Sequence, residues 1–64
     1  MMETRTYYVP ANRIGLYLIN HMIEHIGCSI GDIHKVNDTL AVSVTTVKRD
    51  MNKVERILKF YDLI

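Results

Sequence analysis

Between Thr39 and Asp62 the apolar residues change their period, and that change constrains the fold more than any other feature. Thr39-Leu40-Ala41-Val42-Ser43-Val44-Thr45-Thr46-Val47 alternates, which places Leu40, Val42 and Val44 on one face of a strand. After Lys48-Arg49-Asp50 the apolar positions become Met51, Val54, Ile57, Leu58 and Tyr61, the stripe of an amphipathic helix. Asp50 is the expected cap of that helix. Glu55 and Lys59 form an ion pair one turn apart in the favourable orientation.

Upstream, Thr4 to Val9 carries threonine, tyrosine and valine, which suit a strand, and Pro10 ends it. Asn12 is placed to cap a helix over Arg13 to Ile26, with Leu18, Ile19, Met22, Ile23 and Ile26 as its apolar stripe. Gly15 falls inside the apolar sector, where a missing side chain lets the helix approach the sheet, and Gly27 suits the residue that stops it. Tyr17, Asn20, His21, Glu24 and His25 lie on the opposite, polar side. Cys28 to Val36 has Ile30, Ile33 and Val36 three apart, a spacing that a strand with a bulge near Gly31-Asp32 reconciles. Asn37-Asp38 then makes a two-residue hairpin turn.

The order is β-α-β-β-α. It predicts an α+β two-layer sandwich, with a three-stranded sheet in the order 1-3-2 and two helices on one face. A right-handed crossover is expected to set the first strand parallel to the third. No strand follows the last helix, so the edge of Thr4 to Val9 is expected to be open, and an open edge is a pairing surface.

Sixty-four residues make one domain, 1–64, near the size at which a single core needs support. The only cysteine is Cys28, so no internal disulfide forms, and self-association or an unusually good core is the expected support. A formal charge of +1 excludes an acidic mimic of DNA and gives no strongly basic field. Nothing reads as a signal peptide, and the apolar-rich stretch from Leu16 to Ile26 is interrupted by Asn20, His21, Glu24 and His25. A cytoplasmic protein is the expectation.

Asn12-Arg13-Ile14-Gly15-Leu16 at the first strand-to-helix turn, Ile26-Gly27-Cys28-Ser29-Ile30 after the helix, the strand Leu40 to Val44 and the Val54-Ile57-Leu58 helix together resemble an ACT-type regulatory domain. The resemblance covers most of the chain. It implies a ferredoxin-like fold and amino-acid binding at an interface between paired domains. Carried over position by position, it implies a ligand set of Asn12, Gly15, Cys28, Ser29 and Ile30. The family's proline before the glycine is Ile14 here, and its fourth strand is missing, so the fold expected is a truncated ferredoxin-like one. Val42 to Leu58 is also similar to the end of HicA-type RNA-cleaving toxins. That likeness would point to His34, although Asp32-Ile33 stand where that family has Gly-Ser.

His21-Met22-Ile23-Glu24-His25 matches the H-x-x-E-H spacing of inverted zinc peptidases, in which two histidines hold zinc and the glutamate activates water. A catalytic site also needs a third ligand and a sheltering cleft. A polar helix face with modest affinity for zinc or nickel is the expectation, and no catalytic residue, metal or cofactor is assigned. The expected function is non-catalytic: docking on a protein partner as an inhibitor, adaptor or regulator of viral or mobile-element type, with dimerisation through the open edge. The expected contacts are Tyr7 and Tyr8 on the edge strand, Tyr17 and Phe60 on the helices, and Arg49, Lys53 and Arg56 for charge. Two alternatives stand beside it. One is ACT-like sensing of an amino acid; the other is weak binding of single-stranded nucleic acid by an outward tyrosine and the basic last helix.

Overall fold

A computed structural model describes residues 1–64 as a three-stranded sheet with helices on one face. The elements are β1 (Met2–Pro10), α1 (Arg13–His21) continued by a π-helical turn (Met22–Ile26), β2 (Ser29–Val36), β3 (Thr39–Val47) and α2 (Lys48–Phe60). The sheet order β1-β3-β2 makes this the β-α-β-β-α arrangement of a truncated ferredoxin-like fold.

One expectation about the sheet is corrected. β1 runs antiparallel to β3, from Met2 opposite Val47 to Pro10 opposite Thr39. The crossover through α1 makes β1 parallel to β2, while the hairpin reverses β3 against β2. A strand inserted between two parallel neighbours opposes both.

Local chemistry accounts for the junctions. Asn12 is extended, and its Oδ1 accepts the backbone N–H groups of Ile14 at 3.0 Å and Gly15 at 3.3 Å, satisfying two donors that the helix start would leave unpaired. A side chain at Gly15 would run into the Pro10 carbonyl, so the close seating of α1 on β1 requires glycine there. Gly27 has φ of 85°, the left-handed conformation that ends the helical segment. Asn37 at φ 58° turns the β2–β3 hairpin, and the Thr39 hydroxyl donates to the Val36 carbonyl at 2.7 Å. The β2 register shifts between Ile30 and Ile33, as a bulge at Gly31-Asp32 requires.

Both helices depart from expectation in detail. The first is α-helical only to His21; beyond it the turn widens, and the Gly27 N–H donates to the Met22 carbonyl. The extra residue per turn rotates the stripe, so Met22 is fully buried, Ile26 half-buried and Ile23 exposed. α2 begins at Lys48, directly from β3, with Val47 at the cap and no side-chain bond there. Asp50 is therefore not the cap. It lies in the first turn, where a carboxylate opposes the helix dipole, and it meets Arg49 and Lys53 at 3.5 Å each.

The core joins Tyr7 and Val9 of β1, Val42 and Val44 of β3, Leu18, Ile19 and Met22 of the first helical segment, and Met51, Val54 and Leu58 of α2, with Cys28 at its margin. β2 gives it no fully buried side chain, because the helices pack over β1 and β3. The apolar layer is thus displaced toward the β1 side of the sheet.

Candidate functional site

The two edges of the sheet are chemically different. β1 is paired residue for residue with β3 over nine residues, without a bulge, and its other side meets nothing in the chain. β2 also has a free side, but its ladder is broken between Ile30 and Ile33, and Asp32 and Lys35 stand along it. Bulges and charges are devices that keep an edge from pairing. β2 has both; β1 carries Glu3 and Arg5, paired with each other at 2.9 Å, but has no bulge.

The face of the sheet turned away from the helices is uncharged outside the β2 bulge. β1 presents Met2, Thr4, Thr6, Tyr8 and Pro10 there, since they alternate with the buried Tyr7 and Val9. β3 adds Thr39, Ala41, Ser43, Thr45 and Val47, alternating with buried Val42, Val44 and Thr46. The Thr4 and Thr45 hydroxyls are hydrogen-bonded at 2.8 Å. Tyr8 and His34 both lie opposite Ala41, one from each side, so an aromatic ring and an imidazole flank a methyl group on the central strand.

On the inner face, Tyr7 is corrected from an expected contact residue to a core residue. It is only 7% exposed, whereas Tyr8 is 55% exposed. Adjacent strand residues face opposite ways, so only one of the two tyrosines is free. The Tyr7 hydroxyl donates to Glu55 Oε2 at 2.5 Å, and Arg5 Nη1 donates to the same oxygen at 2.6 Å. Arg5 Nη2 reaches Glu3 at 2.9 Å. Glu55 therefore points to the sheet and bonds β1, instead of the Lys59 partner expected along its own helix. Burial first, and the Glu55 bond second, push the Tyr7 hydroxyl up to about 12. The same hydroxyl, followed by the Arg5 guanidinium, holds the Glu55 carboxyl below its ordinary range. This cluster pins α2 to the open strand.

The other expected residues do not form one surface. Arg49, Lys53, Arg56 and Phe60 recur at helical spacing and share one stripe of α2. Arg49 and Lys53 each meet Asp50, and Phe60 is 82% exposed with its ring set edge-on to Tyr61 at 5.3 Å. Tyr17 is exposed on α1, beside His21. Tyr8 lies across the sheet from α2, so the aromatic and cationic residues needed to hold a nucleic-acid strand are on opposite faces. Of the ligand set implied by the ACT resemblance, Asn12 is occupied as a cap, Gly15 is buried against Pro10, and Cys28 is buried with its thiol pushed up by burial. Ser29 is exposed and Ile30 half-buried at the start of β2, and the chain forms no pocket at these residues.

Sequence reasoning missed Arg5, Glu55 and Thr6. Alternation along β1 could have placed Arg5 on the face of Tyr7, but nothing local links either to Glu55, 48 residues from Tyr7. No family model, no curated protein and no solved structure matches this chain.

Proposed function

We propose that this is a non-catalytic protein-binding module that works as a homodimer, joined through the free edge of β1. One observation carries the reading: the nine-residue edge of β1, paired with β3 without a bulge, stands opposite a β2 edge broken by one. Two-fold antiparallel pairing of β1 with its copy would give a continuous six-stranded sheet, an isologous contact that closes on itself. The displaced core supports the same edge. The helices rest on β1 and β3, so a strand added beside β1 would centre them over four strands. Burial adds a second support. Twelve large apolar side chains are exposed while the core cluster holds eleven, an imbalance that association relieves in so small a domain.

Dimerisation would join the two uncharged outer faces into one plane, with Tyr8 and Thr6 near the two-fold axis. That plane is the docking surface for a further protein, and the α2 stripe of Arg49, Lys53 and Arg56 offers acidic partners a separate contact.

Light scattering on the eluting chain at about 100 µM tests the dimer. Thr6 is exposed at the middle of β1, and Thr6→Lys sets two like charges across a paired edge while leaving the core untouched. The wild-type chain is expected to elute at twice the monomer mass and Thr6→Lys as a folded monomer. A wild-type monomer at that concentration would overturn the reading, and a variant that remains dimeric would move the interface away from β1.

A further inference from the structure

We infer that His21 and His25 form a chelating site for one borderline-soft divalent ion, of the class of Cu²⁺, Ni²⁺ and Zn²⁺. The site is independent of the edge pairing and belongs to the opposite layer of the molecule.

The geometry is the first reason. The two imidazole centres are 4.9 Å apart and the rings are inclined by 32°. With a metal–nitrogen distance of about 2.1 Å, two imidazoles sharing one ion at a near-tetrahedral angle hold their ring centres roughly 5 Å apart. The rings already stand at the separation of a bidentate pair.

The backbone is the second reason. In an α-helix, residues four apart are offset by about 40° around the axis. His21 ends the α-helix and His25 lies in the π turn from Met22 to Ile26 that follows it, so the two stay one turn apart on the same side. Met22, next to His21 and fully buried, anchors this turn to the core. Such turns are uncommon and recur at functional sites.

The surroundings are the third reason. Tyr17 packs at 6.0 Å on the far side of His21, so that imidazole is held between Tyr17 and His25. His21 is half-buried and His25 exposed, so the pair opens to water. No third histidine, cysteine, aspartate or glutamate converges on the pair, and Glu24 is not gathered with it. Water therefore fills the remaining coordination positions. That arrangement suits a surface chelate and does not suit a closed structural zinc site, which takes four protein ligands. Nitrogen donors select copper, nickel and zinc over magnesium and calcium, which take oxygen. Copper is expected to bind most tightly.

The test is titration of the tag-free chain with CuCl₂, NiCl₂, ZnCl₂ and MgCl₂, read by calorimetry. Zinc additions are also followed through the histidine ring protons by nuclear magnetic resonance. The expected result is saturable binding of one ion per chain for the first three metals and none for magnesium. His21 and His25 resonances move together while those of His34, on the other face of the sheet, stay in place. His21→Ala and His25→Ala each weaken binding at least tenfold, and His34→Ala leaves it within twofold. The inference is overturned if no metal saturates the wild-type chain, if the double variant His21→Ala/His25→Ala still binds, or if zinc moves the His34 resonances instead. The resonance readout needs no variant, so a substitution that unfolds the π turn does not blur the outcome.

Discussion

One carboxylate oxygen, Glu55 Oε2, accepts hydrogen bonds from both Tyr7 and Arg5 and makes the stability of this protein sensitive to pH at both extremes. The folded-state value of Glu55 is depressed, so its contribution is complete above the ordinary carboxylate value of about 4.3. It is lost as the pH falls through the lower folded value. Tyr7 behaves in the opposite sense. Its hydroxyl is raised from 10 to about 12, so its contribution is complete below 10 and is lost as the pH rises toward 12. Tyr7→Phe keeps the buried ring and removes the hydroxyl. We expect it to cost about 1–2 kcal/mol near neutrality, to remove the alkaline decline and to make the acid decline shallower. Urea unfolding across the pH range measures all three, and an unchanged pH profile would show that the bond does not act in solution.

At the scale of elements, two glycines with different tasks separate steric from conformational demand. Gly15 seats α1 on β1, and a Cβ there meets the Pro10 carbonyl and crowds Val9. The carbonyl is backbone and cannot yield without moving β1 or the helix. Gly15→Ala is expected to destabilise the fold by about 3 kcal/mol, the upper part of the overpacking range. Gly27 is the contrary case: its surroundings are open, but φ is 85°. Gly27→Ala is expected to cost about 1–2 kcal/mol through backbone conformation alone. Thermal unfolding of the two variants should therefore rank Gly15→Ala as the more damaging, and the reverse order would contradict this packing of α1. The bulge in β2 is an element-scale feature of another kind, since it breaks the ladder at one edge of the sheet while the ladder of β1 runs unbroken.

For the whole molecule the governing fact is a core set off-centre. Helices over β1 and β3 leave β2 with only the half-buried Ile30 packed against the core, and the apolar layer reaches the sheet's open border on the β1 side. If a second copy completes that border, folding and association are coupled, and the thermal midpoint rises with chain concentration. Scanning calorimetry over a hundredfold range of concentration should show that rise for the wild-type chain and not for Thr6→Lys. A midpoint independent of concentration in both would mean that the domain is stable without a partner at this edge.

Most of the plan of this molecule is legible in its sequence. Alternation from Thr39 to Val47, helical spacing beyond Met51, the cap at Asn12, the stop at Gly27, the Asn37-Asp38 turn and the bulge after Ile30 are all near-neighbour matters. Each depends on residues within a few positions, where side-chain size, backbone freedom and hydrogen-bonding capacity act directly. The outcomes left to tertiary structure join distant parts of the chain or follow from how one layer seats on another. β3 opposes β1 because a hairpin and a crossover act together; Tyr7 turns inward and Tyr8 outward because the helices cover one face; Glu55 leaves its helical neighbour for a tyrosine 48 residues away. The widened turn that starts at Met22 and carries His25 belongs to this second group, since Met22 is buried in the core. Period and local chemistry wrote the elements; burial against the rest of the chain chose which of their side chains are available to a partner or a metal.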